Sequence, residues 1–311
     1  MMSEHNTDQL IEKYLQHCKF EKGLREKTLK AYRIDLTQFS IYLNDNSALS
    51  CRKEDIQRYL SVLYDWYKTK SVKRKMAALK AFFNYLEDEE LLKENPFAKL
   101  HVKLHEPLLL PKTIPLANIS LLLQCAYQKS KANTKVHSYS YRTNLRDIAV
   151  LELLFATGMR VSELCSIAAD SIDLSSGEIR IYGKGAKERI IQIGNPDVRT
   201  AVERYYEAFS NQIQETGWLF VNRLGNQLSD QSVRNMINSY VVQAGLEQHI
   251  TPHMFRHSFA TLLLEEDVDI RYIQQLLGHS SITTTQIYTH VTSKKQRDIL
   301  TTKHPRNRIV I

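Results

Sequence analysis

The sequence predicts a mainly α-helical protein of two domains, the second of which also contains a small antiparallel β-sheet. The distribution of glycine is the first observation behind this prediction. Only one of the ten glycines, Gly23, precedes Gly158, and glycine is unfavourable in the interior of a helix. The first half of the chain can therefore be mostly helical, whereas the second half must contain turns.

Proline marks the boundary between the two predicted domains. Four of the seven prolines fall within twenty residues, at positions 96, 107, 111 and 115, and the interior of a helix excludes proline. We expect a helical domain over 1–105, an extended linker over 106–115 and a second domain over 116–311, with a C-terminal tail over 291–311.

Apolar residues recur at helical spacing in four segments of the first domain, which predicts a small four-helix bundle. Thr28 is placed to cap the second helix. The apolar stripes are Leu10, Ile11, Tyr14 and Leu15; Leu29, Tyr32, Leu36, Phe39 and Leu43; Ile56, Leu60, Leu63, Tyr64 and Tyr67; and Met76, Leu79, Phe82, Phe83 and Leu86.

A basic segment joins the third and fourth predicted helices. It contains Lys68, Lys70, Lys73, Arg74 and Lys75. A run of charges is most often a solvated surface. Cations at a helix N-terminus, which itself attracts anions, also suit contact with DNA phosphates. We favour DNA binding for Lys70, Lys73, Arg74 and Lys75.

The second domain is predicted to combine helices with one β-hairpin. Two runs rich in isoleucine, around Ile179–Ile181 and Ile191–Ile193, flank the glycines at 183 and 185, as in a hairpin. The polar stretch 129–142 lacks clear periodicity and predicts a loop. The predicted helices span 144–156, 161–167, 196–210, 229–244, 252–264, 270–277 and 292–300.

Composition narrows the location and the partners. The net charge is +8 and the isoelectric point is about 9.1, which favours an anionic partner such as nucleic acid, although solubility by self-repulsion explains the charge as well. The four cysteines lack CxxC or metal-ligand spacing, the N-terminus lacks a signal-peptide core, and no apolar run approaches the length of a membrane helix. We expect a soluble cytoplasmic protein with reduced thiols and no membrane partner.

Six residues of the second domain have the side chains that attack on a phosphodiester requires. Two arginines can orient the phosphate oxygens, a histidine can accept the proton of a tyrosine nucleophile, and a lysine can protonate the leaving oxygen. The six are Arg160, Lys184, His253, Arg256, His279 and Tyr288. Each alone is more often a structural residue, but the combination favours catalysis that needs neither a metal nor a cofactor.

Zinc is the alternative ligand for the string HMFRH. His253 and His257 are four residues apart, as zinc ligands on a helix are. The string lacks the glutamate of an HExxH site, and Arg256 would repel a divalent cation. We therefore rank phosphate above zinc.

In these segments the sequence resembles the tyrosine recombinases, and in size and layout it resembles the Xer-type resolvases and related simple integrases. The matching segments are ATGMRVSEL at 156–164, GKGAKER at 183–189, PHMFRHSFAT at 252–261, LLGHSSITTTQIYTH at 276–290, TLKAYRIDLTQF at 28–39 and LPKTIP at 110–115. The resemblance implies a four-helix core-binding (SAM-like) domain and an α-rich catalytic domain that together clamp duplex DNA.

The resemblance also implies a role for each of the six residues. Tyr288 would attack the scissile phosphate and form a 3′-phosphotyrosine, with His253 as the base and Lys184 as the acid that protonates the 5′ oxygen. The residues that would hold the phosphate are Arg160, Arg256 and His279. Glu163 lies where the family keeps an acidic residue that supports Arg160.

The partners that the resemblance implies are double-stranded DNA with an inverted-repeat core site and further recombinase protomers. The assembly would be a homotetramer, or a heterotetramer with a second recombinase, with or without an accessory protein, and the tail would dock on a neighbouring protomer. Chromosome-dimer resolution, integration of a mobile element and DNA inversion all stay open. Two alternative functions are a relaxing enzyme of the type IB topoisomerase kind and a non-catalytic DNA-binding relative.

Overall fold

The chain divides into two compact units, Met1–Leu108 and Leu109–Ile311. The structure, a computed structural model, describes residues 6–44, 46–100, 111–132, 138–182 and 188–278. The prediction of a mainly helical chain with a small antiparallel sheet is confirmed. None of the helices within these ranges is both long and apolar enough to cross a membrane.

The first unit contains four helices, as the apolar stripes predicted. They are α1 (Thr7–Phe20), α2 (Glu26–Leu43), α3 (Lys53–Trp66) and α4 (Thr69–Asp88). The prediction that Thr28 caps α2 is wrong, because the helix already begins at Glu26 with Arg25 in the capping position. Tyr64 and Tyr67, which the sequence assigned to an apolar stripe, are exposed instead.

Aromatic rings fill the core of the first unit. Phe39 on α2 lies edge-on to Tyr59 on α3 and to Phe83 on α4, with ring centroids 5.1 and 5.9 Å apart. Tyr14 on α1 packs against Phe82, with centroids 5.5 Å apart. One aromatic cluster thus ties all four helices together, since edge-to-face pairs add to the energy of burial.

The second unit begins with three helices. They are α5 (Leu116–Ala132), α6 (Tyr139–Thr157) and α7 (Val161–Cys165). The loop predicted over 129–142 is wrong in both of its end parts, since α5 continues to Ala132 and α6 begins at Tyr139, where the Ser138 side chain caps it. The helix predicted over 161–167 ends two residues earlier, at Cys165.

A three-stranded antiparallel sheet follows α7. Its strands are β1 (Ile172–Asp173), β2 (Glu178–Tyr182) and β3 (Glu188–Gln192), in the order β1-β2-β3. The predicted hairpin is β2 with β3, in which Ile179 pairs with Ile191 and Ile181 pairs with Arg189. Side chains alternate along a strand, so Arg189 shares the inner face of β3 with Ile191.

Four further helices complete the described part of the second unit. They are α8 (Pro196–Thr216), α9 (Asp230–Gln243), α10 (Pro252–Glu265) and α11 (Ile270–Leu277). The apolar helix α6 packs against α5, α8 and α10, and most of its residues are buried. The helix predicted over 292–300 lies outside the described residues.

Candidate active site

The turn after α6 brings the first predicted site residue into place. Gly158 ends α6 with a φ of +59°, a backbone conformation that glycine adopts most readily. A Cβ atom at Gly158 would lie 2.5 Å from Phe259 Cδ1 and 3.0 Å from Leu277 Cδ2. Glycine is therefore required here both by the backbone and by the close approach of α10 and α11. Arg160 follows the turn and directly precedes α7.

Glu163 fixes the orientation of Arg160. Its Oε2 accepts a hydrogen bond from the backbone N–H of Arg160 at 2.8 Å, and its Oε1 accepts one from Arg160 Nη1 at 2.7 Å. The Glu163 side chain is 7% exposed, whereas that of Arg160 is 36% exposed. A buried carboxylate thus holds a guanidinium group that still reaches solvent.

A second arginine also binds Glu163. Arg189 on β3 donates from Nη1 to Oε1 at 3.0 Å and from Nη2 to Oε2 at 2.8 Å. Burial alone would raise the pKa of the Glu163 carboxyl, but the hydrogen bonds and charges of Arg189 and Arg160 outweigh it and lower this pKa to about 2. Glu163 is therefore ionised at neutral pH.

Arg256 on α10 joins the two turns that border the site. Its Nη1 donates to the carbonyl of Gly158 at 2.9 Å and its Nη2 to the carbonyl of Leu277 at 2.7 Å. Both carbonyls belong to the C-terminal ends of helices, whose last carbonyl groups lack partners within the helix. Arg256 is only 4% exposed, so this side chain holds the ends of α6 and α11 together.

His253 begins α10 beside a group of cations. It is partly exposed, yet the crowding of protein around its imidazole lowers its pKa, and the charges of Arg234, Arg256 and Arg160 lower it further. One turn later, burial and the neighbouring His253 and Arg256 lower the pKa of His257 to about 4. An imidazole that is neutral at pH 7 can accept a proton.

The structure therefore brings together three of the six predicted residues, Arg160, His253 and Arg256, around the Gly158 turn. Lys184, His279 and Tyr288 lie outside the described residues. Gly278, which ends α11 with a φ of +64°, directly precedes His279. Within the described ranges, no three His, Cys, Asp or Glu side chains are grouped as metal ligands.

The basic segment of the first unit needs one correction. Lys75 was predicted to contact DNA, but it is 2% exposed, and its ammonium group donates to Asp35 at 3.0 Å and to Gln38 and lies over the ring of Tyr67. Its charge is neutralised inside the unit and does not reach the surface.

The other three cations of the segment lie nearer to solvent. Lys70 and Arg74 are exposed, Lys73 is half-buried, and all three belong to the first two turns of α4. Arg74 also pairs with Asp35. A phosphate contact from Lys70, Lys73 or Arg74 stays a prediction.

Sequence reasoning missed two arginines near the site, Arg189 and Arg234. Arg189 could have been identified from the sequence, because it lies two residues before the buried Ile191 and so on the buried face of the strand. An arginine in such a position requires an acidic partner. Arg234 was not predictable, because nothing in the sequence of α9 indicates that its charge acts on His253.

Comparison with protein families identifies the class of protein that carries this site. The profile of the Phage integrase family matches residues 128–295, and that of the Phage integrase N-terminal SAM-like domain matches residues 11–90. The chain belongs to the phage integrase family of tyrosine recombinases, enzymes that cleave and rejoin DNA at specific sites.

Several relatives match nearly the whole chain. A tyrosine recombinase from Agathobacter rectalis is 50% identical over 303 residues, which are 97% of this chain and 98% of that protein. Tyrosine recombinase XerD from Staphylococcus haemolyticus is 35% identical over 96% of this chain and 99% of its own. Tyrosine recombinase XerC from Myxococcus xanthus is 36% identical over 96% of this chain and 98% of its own. The recombinase is of the Xer type.

Solved structures share the fold. XerH recombinase, in a post-cleavage complex with its palindromic difH substrate, superposes with a TM-score of 0.76 at 22% identity and covers 95% of this chain and 84% of its own. A lambda integrase tetramer bound to a Holliday junction has a TM-score of 0.67 at 18% identity and covers 92% of this chain and 78% of its own.

Proposed function

We propose that Tyr288 is the nucleophile of this recombinase and forms a covalent 3′-phosphotyrosine with the cleaved strand. The observation that supports this most is the convergence of Arg160, Arg256 and His253 around the Gly158 turn. All three lie 32 residues or more before Tyr288 in the chain. Two guanidinium groups and a neutral imidazole suit a phosphate under attack by a hydroxyl group. The bond energy stays in the phosphotyrosine ester, and a 5′-hydroxyl of a partner strand later attacks that ester and frees Tyr288.

We assign the remaining roles as follows. His253 accepts the proton of the Tyr288 hydroxyl, because its lowered pKa keeps the imidazole neutral at pH 7. Arg160, Arg256 and His279 bind the non-bridging oxygens of the phosphate, and Glu163 orients Arg160. Lys184 protonates the 5′ oxygen as it leaves. Loss of one phosphate contact slows such a step by roughly 10²–10³.

The experiment that tests this assignment traps the covalent intermediate. Duplex DNA selected by binding from a genomic fragment library is nicked beside the cleavage position, so that the short 5′-hydroxyl strand diffuses away. Tyr288→Phe is expected to bind this substrate but to form no adduct on a denaturing gel. Tyr272→Phe is the matched control, because Tyr272 is an exposed tyrosine on α11, and it is expected to form the adduct. An adduct with Tyr288→Phe would refute the assignment.

Lys184 is tested with sulfur in place of the 5′ bridging oxygen. A thiolate leaves without an acid, so the defect of Lys184→Ala is expected to disappear on this substrate. If the defect persists, another group, such as Lys187, is the acid.

We also propose the domains and partners of the enzyme. Residues 1–105 bind the core DNA site, 106–115 form the linker, 116–311 form the catalytic domain, and Lys70, Lys73 and Arg74 contact the DNA backbone. The substrate is duplex DNA with inverted repeats in the cytoplasm, and four protomers exchange strands. The DNA-bound and tetrameric states of XerH and lambda integrase support this proposal. A relaxing enzyme and a non-catalytic relative are not favoured, because relatives named tyrosine recombinases match the chain from end to end.

A further inference from the structure

Arg189 touches three parts of the second unit. It is the second residue of β3, directly opposite Ile181 on β2. Its two terminal nitrogens hold both oxygens of Glu163. Its guanidinium group also lies against the turn that ends α11, because a Cβ atom at Gly278 would be 2.8 Å from Arg189 Nη1 and 3.0 Å from Cζ.

These three parts border the segments that carry the other predicted site residues. The chain between β2 and β3 contains Lys184, Glu163 orients Arg160, and Gly278 directly precedes His279. The side chain of Arg189 is 15% exposed, so most of it is enclosed by these neighbours. An arginine in this position can act on the reaction only through the groups that it holds.

The charges around Glu163 show what Arg189 does. Glu163 carries one negative charge between two guanidinium groups, and each of its oxygens accepts from both arginine residues. Because Arg189 takes both oxygens from one side, the side chain of Arg160 donates to Glu163 through Nη1 alone. The other donors of Arg160 are not used by Glu163 and suit a phosphate.

Removal of Arg189 would change how the oxygens of Glu163 are shared between the two arginines. A carboxylate and a guanidinium group alone prefer a forked pair with two parallel hydrogen bonds. Glu163 would then bind Arg160 through two side-chain donors, neutralise it and turn it away from an incoming phosphate. We propose that Arg189 is a positioning residue for strand cleavage, which keeps Arg160 available to the scissile phosphate by occupying Glu163. This inference rests on the proposed function, in which Arg160 binds that phosphate.

The first experiment compares single-turnover formation of the covalent adduct with DNA affinity, using the full chain and the nicked duplex. Arg189→Met is expected to slow adduct formation roughly 10- to 100-fold, as the misplacement of a functional group does, and to change DNA affinity less than about threefold. Arg189→Lys, which returns one cation to Glu163, is expected to recover part of the rate. Arg180→Met is the matched control, because Arg180 is exposed on β2 and donates to the Asp170 carbonyl; it is expected to cleave at the wild-type rate.

The second experiment separates positioning from a purely structural role. The double variant Arg189→Met, Glu163→Gln removes the charge that would capture Arg160, so it is expected to cleave about tenfold faster than Arg189→Met alone. A structural role predicts that the double variant is as slow or slower. If Arg189→Met does not fold, Arg189→Lys with and without Glu163→Gln gives the same comparison.

Two results would overturn the inference: wild-type cleavage by Arg189→Met, or no gain from Glu163→Gln in a folded Arg189 variant. Failure of the wild-type chain to form an adduct through Tyr288 would instead refute the proposed function.

Discussion

At the scale of the residue, the electrostatics of the candidate site depend on Glu163. Its carboxylate is enclosed by protein and accepts hydrogen bonds from Arg160 and Arg189. These bonds offset the cost of burying a charge, which is large when a charge is left without partners. The ionised form of Glu163 therefore stabilises the folded state, and this contribution depends on pH.

The pKa of Glu163 gives the direction of that dependence. It is lowered in the folded state from its usual 4.5 to about 2, so the stabilisation is complete above pH 4.5 and is lost as pH falls towards 2. We expect it to be about 3 kcal/mol. In urea unfolding from pH 6 to 3, the wild-type chain should lose stability more steeply than Glu163→Gln.

Glu178→Gln is the control for this measurement, because Glu178 lies on β2 and binds only the neutral amide of Gln192 in the contacts that the structure gives. Its stability should follow that of the wild-type chain. Parallel curves for Glu163→Gln and wild type would contradict the prediction.

Gly158 gives a second prediction at this scale. Gly158→Ala combines a left-handed backbone with a clash against Phe259 and Leu277. Gly245→Ala, at a φ of +65° with nothing within 4 Å of the added Cβ atom, has only the backbone cost, about 1 kcal/mol. The clash is expected to make Gly158→Ala less stable than Gly245→Ala by a further 1–3 kcal/mol or so. Equal urea midpoints for the two variants would contradict this, because they would show that α10 and α11 move apart with no loss of stability.

At the scale of the element, two of the three lysines at the start of α4 have opposite surroundings. Lys75 is buried against Asp35 and Tyr67, whereas Lys70 is exposed. Lys75→Ala is expected to lower the free energy of unfolding by about 3 kcal/mol, because it leaves Asp35 buried with only the half-exposed Arg74 as a cation in the contacts given.

Lys70→Ala is the control for Lys75→Ala, and it also tests the proposed contact of Lys70 with the DNA backbone. It is expected to leave stability within about 0.5 kcal/mol and to reduce the slope of log affinity against log salt by about one. Urea unfolding and salt titrations of DNA binding measure the two effects. If Lys75→Ala were as stable as Lys70→Ala, the buried pair would contribute nothing.

The helices were predictable from the sequence where their apolar stripe is long. In α2 and α4 the stripe runs through several turns, and both helices are found where it predicted them. Helix α5 was not among the predicted helices. Its last turn, which includes Lys129 and Lys131, was assigned to a loop because it is largely exposed and carries no apolar signal. Capping was equally hard to predict, since α2 begins without a side-chain cap.

The site was predictable only in part, for a related reason. His253 and Arg256 share a short motif on one helix, and a motif identifies them directly. Arg189 is 26 residues from Glu163 in the chain, and only the fold makes them neighbours. The carbonyl partners of Arg256 are 98 and 21 residues away, and the sequence gives no sign of them.

At the scale of the whole molecule, each unit encloses its own hydrophobic core, and the net charge of +8 suits a protein that encounters DNA by electrostatic attraction. Such attraction brings one protomer to a site but does not bring two occupied sites together. We propose that the tail over 291–311, which lies outside the described residues, provides that second step, as the family resemblance implies.

Deletion of residues 292–311 tests this assignment. The truncated chain is expected to bind a single duplex with nearly wild-type affinity, since the tail is assigned to protein contacts. It should form far fewer complexes of two duplexes, because the link between protomers is lost. Gel-shift titrations with one duplex and with two duplexes of different length measure both steps. Equal losses in the two titrations would show that the tail contributes to DNA binding itself.

The buried position of Arg256 has a consequence for how this enzyme can decay by mutation. In the proposed function Arg256 binds the phosphate, so a substitution there would remove that ligand. It would also release the carbonyls of Gly158 and Leu277, and the protein itself would become prone to degradation. Under the same proposal, substitution of Arg160, which is more exposed, would remove activity at a smaller cost to the fold. In a lineage freed from selection for recombination but not for DNA binding, we expect Arg160 to vary early and Arg256 to persist. A retained HxxR motif is therefore a weaker sign of an active enzyme than a retained Arg160.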